Sequence, residues 1–313
     1  MTDNIKPGAL KEGATIGVVS PSYWLDDDTL NKAINILQAQ GYQILLGESV
    51  KAREDIFAGS PQCRADDIMS MFLNPAVDAI FCARGGYGAN RVLPLLDYDL
   101  IRANPKIFMG FSDITAFLNT FNQRSGLICF HGPMLANYGR HPHDYVVNEM
   151  LHVLGGNTEV IVKDLPECAA KTLRAGEATG EIVGGNLSLI VERLGTDDQI
   201  DTCEKILLIE EVGEKLYAFD RMMLQLKNSG SLAQVSGLLF GEMTEMSDTD
   251  VPFGKSIDEI ILDICDDVGV PIISNFPAGH GEYICTLPIG HSVRMVAQDN
   301  NNAVFIPESP VAQ

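Results

Sequence analysis

Positively charged residues are scarce in this sequence, which has 22 lysines and arginines against 42 aspartates and glutamates. The formal net charge of −20 repels phosphate backbones and anionic lipids, so the sequence predicts neither a nucleic-acid partner nor a membrane partner. The same charge gives no general attraction for anionic substrates. A site for an anion must therefore be built from local groups.

Long apolar runs are also lacking. No segment approaches the roughly 18 apolar residues that span a bilayer, and the first residues lack the basic patch and apolar run of a signal peptide. The seven cysteines form no C-x-x-C pair, which argues against a disulfide framework or a cysteine-rich zinc site. With no H-E-x-x-H spacing either, we expect no metal site and a reduced, cytoplasmic protein.

Short β-like runs alternate with helical patterns in the first half of the chain. Ser60 followed by Pro61 is typical of a helix start, because serine caps the helix and proline fits its first position. Alternating strands and helices predict an α/β fold with a parallel sheet. The predicted strands lie at 14–19, 42–46, 77–82, 106–109 and 127–130.

The alternation lapses at 161–179, which we interpret as a linker between an N-terminal domain over 1–160 and a C-terminal domain over 180–313. The second half predicts strands at 205–209, 237–240 and 271–274. A further helix opens with the capping box Ser256-x-x-Glu259. The C-terminal α/β domain is expected to end in a β-hairpin formed by 292–297 and 303–306.

Ser112 lies where an apolar strand ends at Gly110 and a helical pattern begins about two residues later. Such a strand-to-helix turn can present a serine as a nucleophile, and the helix start directs backbone N–H groups at developing negative charge. The second glycine of the G-x-S-x-G motif is missing. The alternative is that Ser112 or Asp113 simply caps the helix.

A glycine-rich loop, Arg84 to Gly88, follows another predicted strand. Glycine permits positive φ and a close approach of the backbone to a ligand, so a Gly85 or Gly86 amide could face Ser112 as part of an oxyanion hole. The spacing fits no phosphate-loop motif. A turn without a ligand is the remaining interpretation.

A serine nucleophile needs a base, and the chain has six histidines. His131 and His280 both lie close behind a predicted strand end, and local pattern does not choose between them. An acid that orients the base could come from Glu210 or Glu211, which end a buried-type strand.

Taken together, these residues resemble the LD-carboxypeptidase (muramoyltetrapeptide carboxypeptidase) family of serine peptidases across nearly the whole chain. Each motif is short, and the specificity lies in their order and spacing. The matching motifs are Ile16 to Pro21, Arg84 to Gly88 with Arg91 and Leu93-Pro94, Gly110 to Asp113, His131 to Pro133, Gly184 to Asn186, Ile209 to Val212, and Gly279 to Gly281 with Leu287-Pro288-x-Gly290.

The resemblance implies a Ser112, Glu210 and His280 triad, which leaves His131 a structural or pocket role. It implies oxyanion donors at the backbone amides of Asp113 and Gly86. It also implies a Rossmann-like N-terminal domain that carries the serine, a C-terminal domain that carries the other two residues, a homodimer and no cofactor.

The implied activity is release of the terminal D-Ala from cytoplasmic muropeptide tetrapeptides during cell-wall recycling. Holding a terminal carboxylate then requires a local cation or backbone N–H groups, for which Arg84 and Gly85 are candidates. One alternative is an immunity-type peptidase of the same family that cleaves peptidyl-nucleotide antibiotics and needs an aromatic platform such as Trp24. Another is a non-catalytic nucleotide or sugar-phosphate binder that uses the glycine-rich loop.

Overall fold

The computed structural model describes residues 4–157, 170–299 and 301–313. The helices are α1 Asp27–Ala39, α2 Pro61–Leu73, α3 Ala89–Val92, α4 Tyr98–Ala103, α5 Thr115–Ser125, α6 Leu135–Arg140, α7 Asp144–Leu154, α8 Leu187–Glu192, α9 Leu216–Asn228 and α10 Ile257–Ile264. The strands are β1 Thr15–Val19, β2 Gln43–Leu46, β3 Ala79–Cys82, β4 Ile107–Gly110, β5 Cys129–His131, β6 Lys171–Arg174, β7 Gly176–Asn186, β8 Ile206–Val212, β9 Gly237–Thr244, β10 Ile272–Phe276, β11 Leu287–Ile289, β12 Ser292–Ala297 and β13 Ala303–Phe305.

The described chain divides into two compact units. The first contains the residues up to Asn157 together with Cys285–Gly290 and Ser309–Gln313. Its strands are ordered β2-β1-β3-β4-β5-β11. The first five run parallel, and β11 pairs antiparallel with β5. The predicted α/β fold with a parallel sheet is confirmed.

The strand order of the first unit creates a switch point between β1 and β3, because the chain leaves β1 for β2 on one side and returns to β3 on the other. Ligands of open α/β sheets bind beyond the carboxyl ends of strands at such a point. Aromatic side chains fill part of the core of the same unit. The rings of Phe108 and Phe121 meet edge to face with centroids 4.9 Å apart, and Phe72 stacks on Phe108.

The second unit has its own sheet order, β7-β8-β9-β10-β6. The strands β7 to β10 are parallel, and β6 pairs antiparallel with β10. The predicted hairpin is confirmed, because β12 and β13 pair antiparallel. Buried residues of β8 and β9 pack against α9 and α10 in one apolar cluster, which includes Leu207, Phe219, Phe240 and Ile261.

The predicted linker at 161–179 lies outside the described residues as far as residue 169. Its described remainder is not a linker, because Lys171–Arg174 forms β6 and β7 begins at Gly176. These strands pair with β10 and β12, which lie far along the chain and leave no local signal. The other domain bounds stay a prediction, although Cys285–Gly290 and Ser309–Gln313 belong to the first unit.

Candidate active site

Ser112 stands on a sharp turn between β4 and α5, in a single 3₁₀ turn over Ser112–Ile114. Its φ is +63°, in the left-handed region that non-glycine residues seldom adopt and that costs of order 1–3 kcal/mol. Gly110 makes the turn possible, since a Cβ there would lie 3.0 Å from side-chain carbons of Ile114. This is the backbone geometry of a nucleophile elbow.

The helix-cap alternative does not describe this turn. The cap positions of the 3₁₀ turn and of α5 are Phe111 and Ile114, and neither makes a side-chain cap hydrogen bond. The Asp113 carboxylate accepts hydrogen bonds from Ser22 Oγ at 2.5 Å and from the Ala89 N–H at 2.9 Å. Its side chain therefore reaches two other loops.

The glycine-rich loop after β3 lies against Ser112. A Cβ on Gly85 would be 3.0 Å from Ser112 Cβ and 3.2 Å from its Oγ. Gly86 has a φ of +121°, and a Cβ there would be 2.4 Å from ring carbons of Tyr23. The structure thus brings together Ser112, Asp113, Gly85 and Gly86. Only glycine fits at Gly86, and a side chain at Gly85 would be in tight contact with Ser112.

Arg84 is half-buried at the start of the same loop. Its Nη1 is 3.4 Å from the Trp24 carbonyl oxygen, and its guanidinium lies over the Tyr23 ring, 5.5 Å from the centroid. Burial, followed by the positive charge of Arg140, lowers the pKa of Arg84. Among the described residues, no carboxylate lies within ion-pair distance of this guanidinium, which leaves it suited to an incoming anion.

Glu210 and His280 meet in the second unit. Glu210 lies on the buried strand β8 with a fully buried side chain, and its Oε2 is 2.8 Å from His280 Nδ1. Gly279, with φ +132°, permits this approach, since a Cβ there would be 3.0 Å from both Glu210 Cβ and Oε2. An ionised carboxylate only accepts, so Nδ1 carries the hydrogen and Nε2 is the basic nitrogen.

The pKa values of this pair shift in the same direction for different reasons. Burial raises the pKa of Glu210, against the hydrogen bond and charge of His280. For His280, burial acts to lower the pKa, but the hydrogen bond and negative charge of Glu210 outweigh it and raise the pKa above its ordinary value. An ionised Glu210 therefore favours the imidazolium form, as a base-orienting acid should.

Glu211, the next residue on β8, has a different environment. Its Oε1 accepts from Asn186 Nδ2 and the Val212 N–H, both at 2.9 Å. Its Oε2 accepts from the Ser188 N–H at 2.8 Å and the Ser188 hydroxyl at 2.7 Å. These bonds tie β7 and the start of α8 to β8, so Glu211 is a structural carboxylate and Glu210 is the one beside a histidine.

His131 is fully buried on β5, with its ring 5.6 Å from that of Phe111. It lies in the first unit, as Ser112 does. The resemblance leaves His131 a structural or pocket role, and its full burial fits the structural one.

Sequence reasoning missed Arg64 and the side chain of Asp113. Arg64 is only 1% exposed, and its Nη1 donates to the carbonyls of Pro21 at 2.7 Å and Gly88 at 3.2 Å. A signal was present, because Arg64 shares one face of α2 with Ile68 and Met71, and a charge on an apolar helical stripe is unusual. For Asp113, no local pattern indicates which loops its carboxylate reaches.

No group of three or more potential metal ligands occurs among the residues that the structure describes. In the same part of the chain, no helix is both long enough and apolar enough to cross a membrane.

An α/β fold with an elbow serine in one unit and a buried glutamate–histidine pair in the other defines a class of candidate hydrolases. Residues 16–132 match the model of the LD-carboxypeptidase N-terminal domain, and residues 179–295 match that of the LD-carboxypeptidase C-terminal domain. The chain belongs to the LD-carboxypeptidase family, and the predicted membership is confirmed.

Named relatives agree with this membership. The "Probable murein peptide carboxypeptidase" of Bacillus subtilis (strain 168) is 36% identical over 93% of this chain and 92% of its own. The "Murein tetrapeptide carboxypeptidase" of Pseudomonas aeruginosa is 29% identical over 88% and 91%. A solved structure of the Microcin C7 self-immunity protein MccF with aspartyl sulfamoyl adenosine is 25% identical, with a TM-score of 0.91, over 98% of this chain and 100% of that one.

Proposed function

We propose that this protein is a serine carboxypeptidase that hydrolyses the L,D amide bond before the terminal D-Ala of muropeptide tetrapeptides. The observation that carries the proposal is the φ of +63° at Ser112 beside the Gly85 backbone. A strained serine between a strand end and a helix start is what nucleophilic catalysis needs. The substrate class is supported by two relatives named as murein peptide and murein tetrapeptide carboxypeptidases.

In the proposed reaction, Ser112 Oγ attacks the carbonyl carbon of the L,D amide while His280 Nε2 accepts the hydroxyl proton. The backbone N–H groups of Asp113 and Gly86 stabilise the oxyanion. The C–N bond then breaks, and the imidazolium protonates the amine of the departing D-Ala. Water hydrolyses the acyl-enzyme with His280 as base, while Glu210 holds Nδ1–H throughout.

The proposal assigns the terminal carboxylate of the substrate to Arg84, with the backbone N–H of Gly85 as a second donor. The guanidinium is half-buried and carries no carboxylate partner among the described side chains, so it can give a charge-assisted hydrogen bond. A local cation or local N–H groups are required because the net charge of −20 repels anions at long range.

A second candidate is the immunity-type activity, favoured by the fold similarity to MccF with a bound aspartyl sulfamoyl adenosine. It needs an aromatic platform for a nucleobase. The guanidinium of Arg53 lies over the Trp24 ring, 5.0 Å from its centroid, and the indole N–H donates to the Asp55 carbonyl. One face of the ring is thus covered, which weighs against Trp24 as that platform. A non-catalytic nucleotide or sugar-phosphate binder would have no use for a strained serine.

The proposal also includes a cytoplasmic role in cell-wall recycling and a homodimer, both carried over from the family resemblance. Cell fractionation tests the first, and sedimentation equilibrium tests the second.

The deciding assay offers L-Ala-D-Glu-(meso-diaminopimelate)-D-Ala, the same peptide ending in an amide, the same peptide ending in L-Ala, and a peptidyl-adenylate. We expect fastest turnover of the first, and Ser112→Ala should lower its kcat by roughly 10⁴-fold. The matched control is Ser125→Ala, which removes a buried hydroxyl that donates to the Phe121 carbonyl and should leave kcat unchanged. Equal turnover of the three peptides would contradict the carboxypeptidase assignment, and preference for the adenylate would favour the second candidate.

A further inference from the structure

The loop over Arg84–Ala89 is held in place at four of its residues. The Gly85 carbonyl accepts the Tyr23 N–H at 3.3 Å, and Gly86 packs against the Tyr23 ring. The Gly88 carbonyl accepts from Arg64, and the Ala89 N–H donates to Asp113. Two of these four contacts therefore come from buried charged side chains.

The side chains of Arg64 and Asp113 also form hydrogen bonds with the loop after β1. Arg64 Nη1 donates to the Pro21 carbonyl at 2.7 Å, and Asp113 Oδ2 accepts from the Ser22 hydroxyl at 2.5 Å. Arg64 is 1% exposed and Asp113 is 2% exposed. Each side chain thus joins the β1 loop to the glycine-rich loop, and Asp113 does so from the residue directly after Ser112.

Burying two charged groups is costly unless their hydrogen bonds are made. The backbone packs closely around the buried Arg64 guanidinium. A Cβ on Gly88 would lie 2.7 Å from Arg64 Nη1 and 3.0 Å from the Phe57 ring. The Phe57 ring in turn lies under the Arg64 guanidinium, 5.1 Å away. The Arg64 guanidinium and the Phe57 ring therefore fill the space that a side chain on Gly88 would need.

We propose that Arg64 and Asp113 are positioning residues that hold the Gly85–Gly86 backbone at a fixed distance from Ser112. The inference rests on the proposed function, since the loop amide of Gly86 is there the oxyanion donor. Oxyanion stabilisation acts in the transition state, so loosening the loop should lower kcat. Because Arg84 and Gly85 of the same loop are proposed to hold the terminal carboxylate of the substrate, KM should rise as well.

Ser22→Ala tests this most directly, because it removes one hydrogen bond to Asp113 and changes neither Ser112 nor a residue of the glycine-rich loop. We expect kcat per titrated active site to fall by about ten- to a hundredfold, the range that a misplacement near 1 Å can cause, together with a rise in KM. Backbone amides of 84–89 should exchange with deuterium faster than in the wild type. Ser125→Ala, the same change at a hydroxyl bonded within α5, should alter neither quantity.

Arg64→Lys is the second variant and decides the matter if Ser22→Ala fails to fold. Lysine keeps the charge but lacks the planar fork, so the same loss of kcat and faster exchange are expected. Unchanged kcat and unchanged exchange in both variants would overturn the inference, as would a loss of activity that only tracks the folded fraction. If the wild type neither cleaves the tetrapeptide nor reacts with a fluorophosphonate, the proposed function fails. Amide exchange of residues 84–89 in the variants would still test whether Arg64 and Asp113 hold the loop.

Discussion

Single residues carry most of the chemistry proposed for this protein. Ser112 adopts a left-handed backbone conformation with φ +63°, and such strain persists only when surrounding contacts enforce it. Gly110 and Gly85 supply that environment by the absence of side chains. At His280, the effect is electrostatic, since a buried carboxylate sets both its tautomer and its affinity for a proton.

The raised pKa of His280 gives a pH prediction. His280 must be neutral to accept the serine proton, so kcat/KM should rise with pH through a value above that of an ordinary histidine. In Glu210→Gln, the negative charge that raises the pKa of His280 is gone, while the burial that lowers it remains. The rise of kcat/KM should therefore occur at lower pH, and the maximal rate should fall. The measurement is a pH–rate profile of both proteins on the tetrapeptide. If kcat/KM rose at the same pH in both proteins, Glu210 would not set the pKa of His280.

At the scale of elements, β8 carries two adjacent carboxylates near its C-terminal end, and their environments differ. Glu210 faces a histidine, whereas both oxygens of Glu211 accept N–H or O–H donors from β7, α8 and β8 itself. Successive residues of a strand point to opposite faces, so one sequence pair can serve the reaction on one side and join elements on the other.

This division predicts opposite outcomes for two glutamine substitutions. Glu211→Gln places an amide nitrogen against N–H donors in either orientation, and should lower the free energy of unfolding by roughly 1–3 kcal/mol. Glu210→Gln can still accept the His280 Nδ1–H through its amide oxygen and removes a buried charge, so its stability should be close to that of the wild type. Urea unfolding at pH 7 measures both. Equal losses of stability would contradict the distinction.

Local pattern predicted those elements whose signals lie within a few residues. Ser60 caps α2 with Pro61 at the first helical position, and Ser256 with Glu259 forms the capping box of α10. The strands β6 and β7 were missed because their alternation is weak and their partners β10 and β12 are distant in sequence. Pairing across such a distance is decided by tertiary structure and not by propensity.

The candidate site divides in the same way. A serine after a strand and a glycine-rich loop are local patterns, and the structure places them in contact. The choice of His280 over His131 came from family resemblance, because both follow strand ends in the sequence. Arg64 and the Asp113 carboxylate act through loops that meet only in the folded sheet, which is why the sequence did not indicate their contacts.

For the whole molecule, the dominant property is charge. A net charge of −20 creates a field that acts on a charged substrate before any contact is made. The proposed tetrapeptide carries more carboxylates than amines, so this field opposes its approach. Local cations such as Arg84 act only at short range, after part of that repulsion has been overcome.

Salt should therefore raise the activity towards the acidic tetrapeptide. The screening length falls from about 30 Å at 0.01 M to about 8 Å at 0.15 M salt, and we expect kcat/KM to rise by about two- to threefold over this range with kcat unchanged. The matched comparison is the rate at which an uncharged fluorophosphonate labels Ser112. Because this probe carries no charge for the field to act on, its labelling rate should not change with salt. A fall in kcat/KM with salt would mean that cations around the site attract the substrate. The negative field of the whole molecule would then not slow its association.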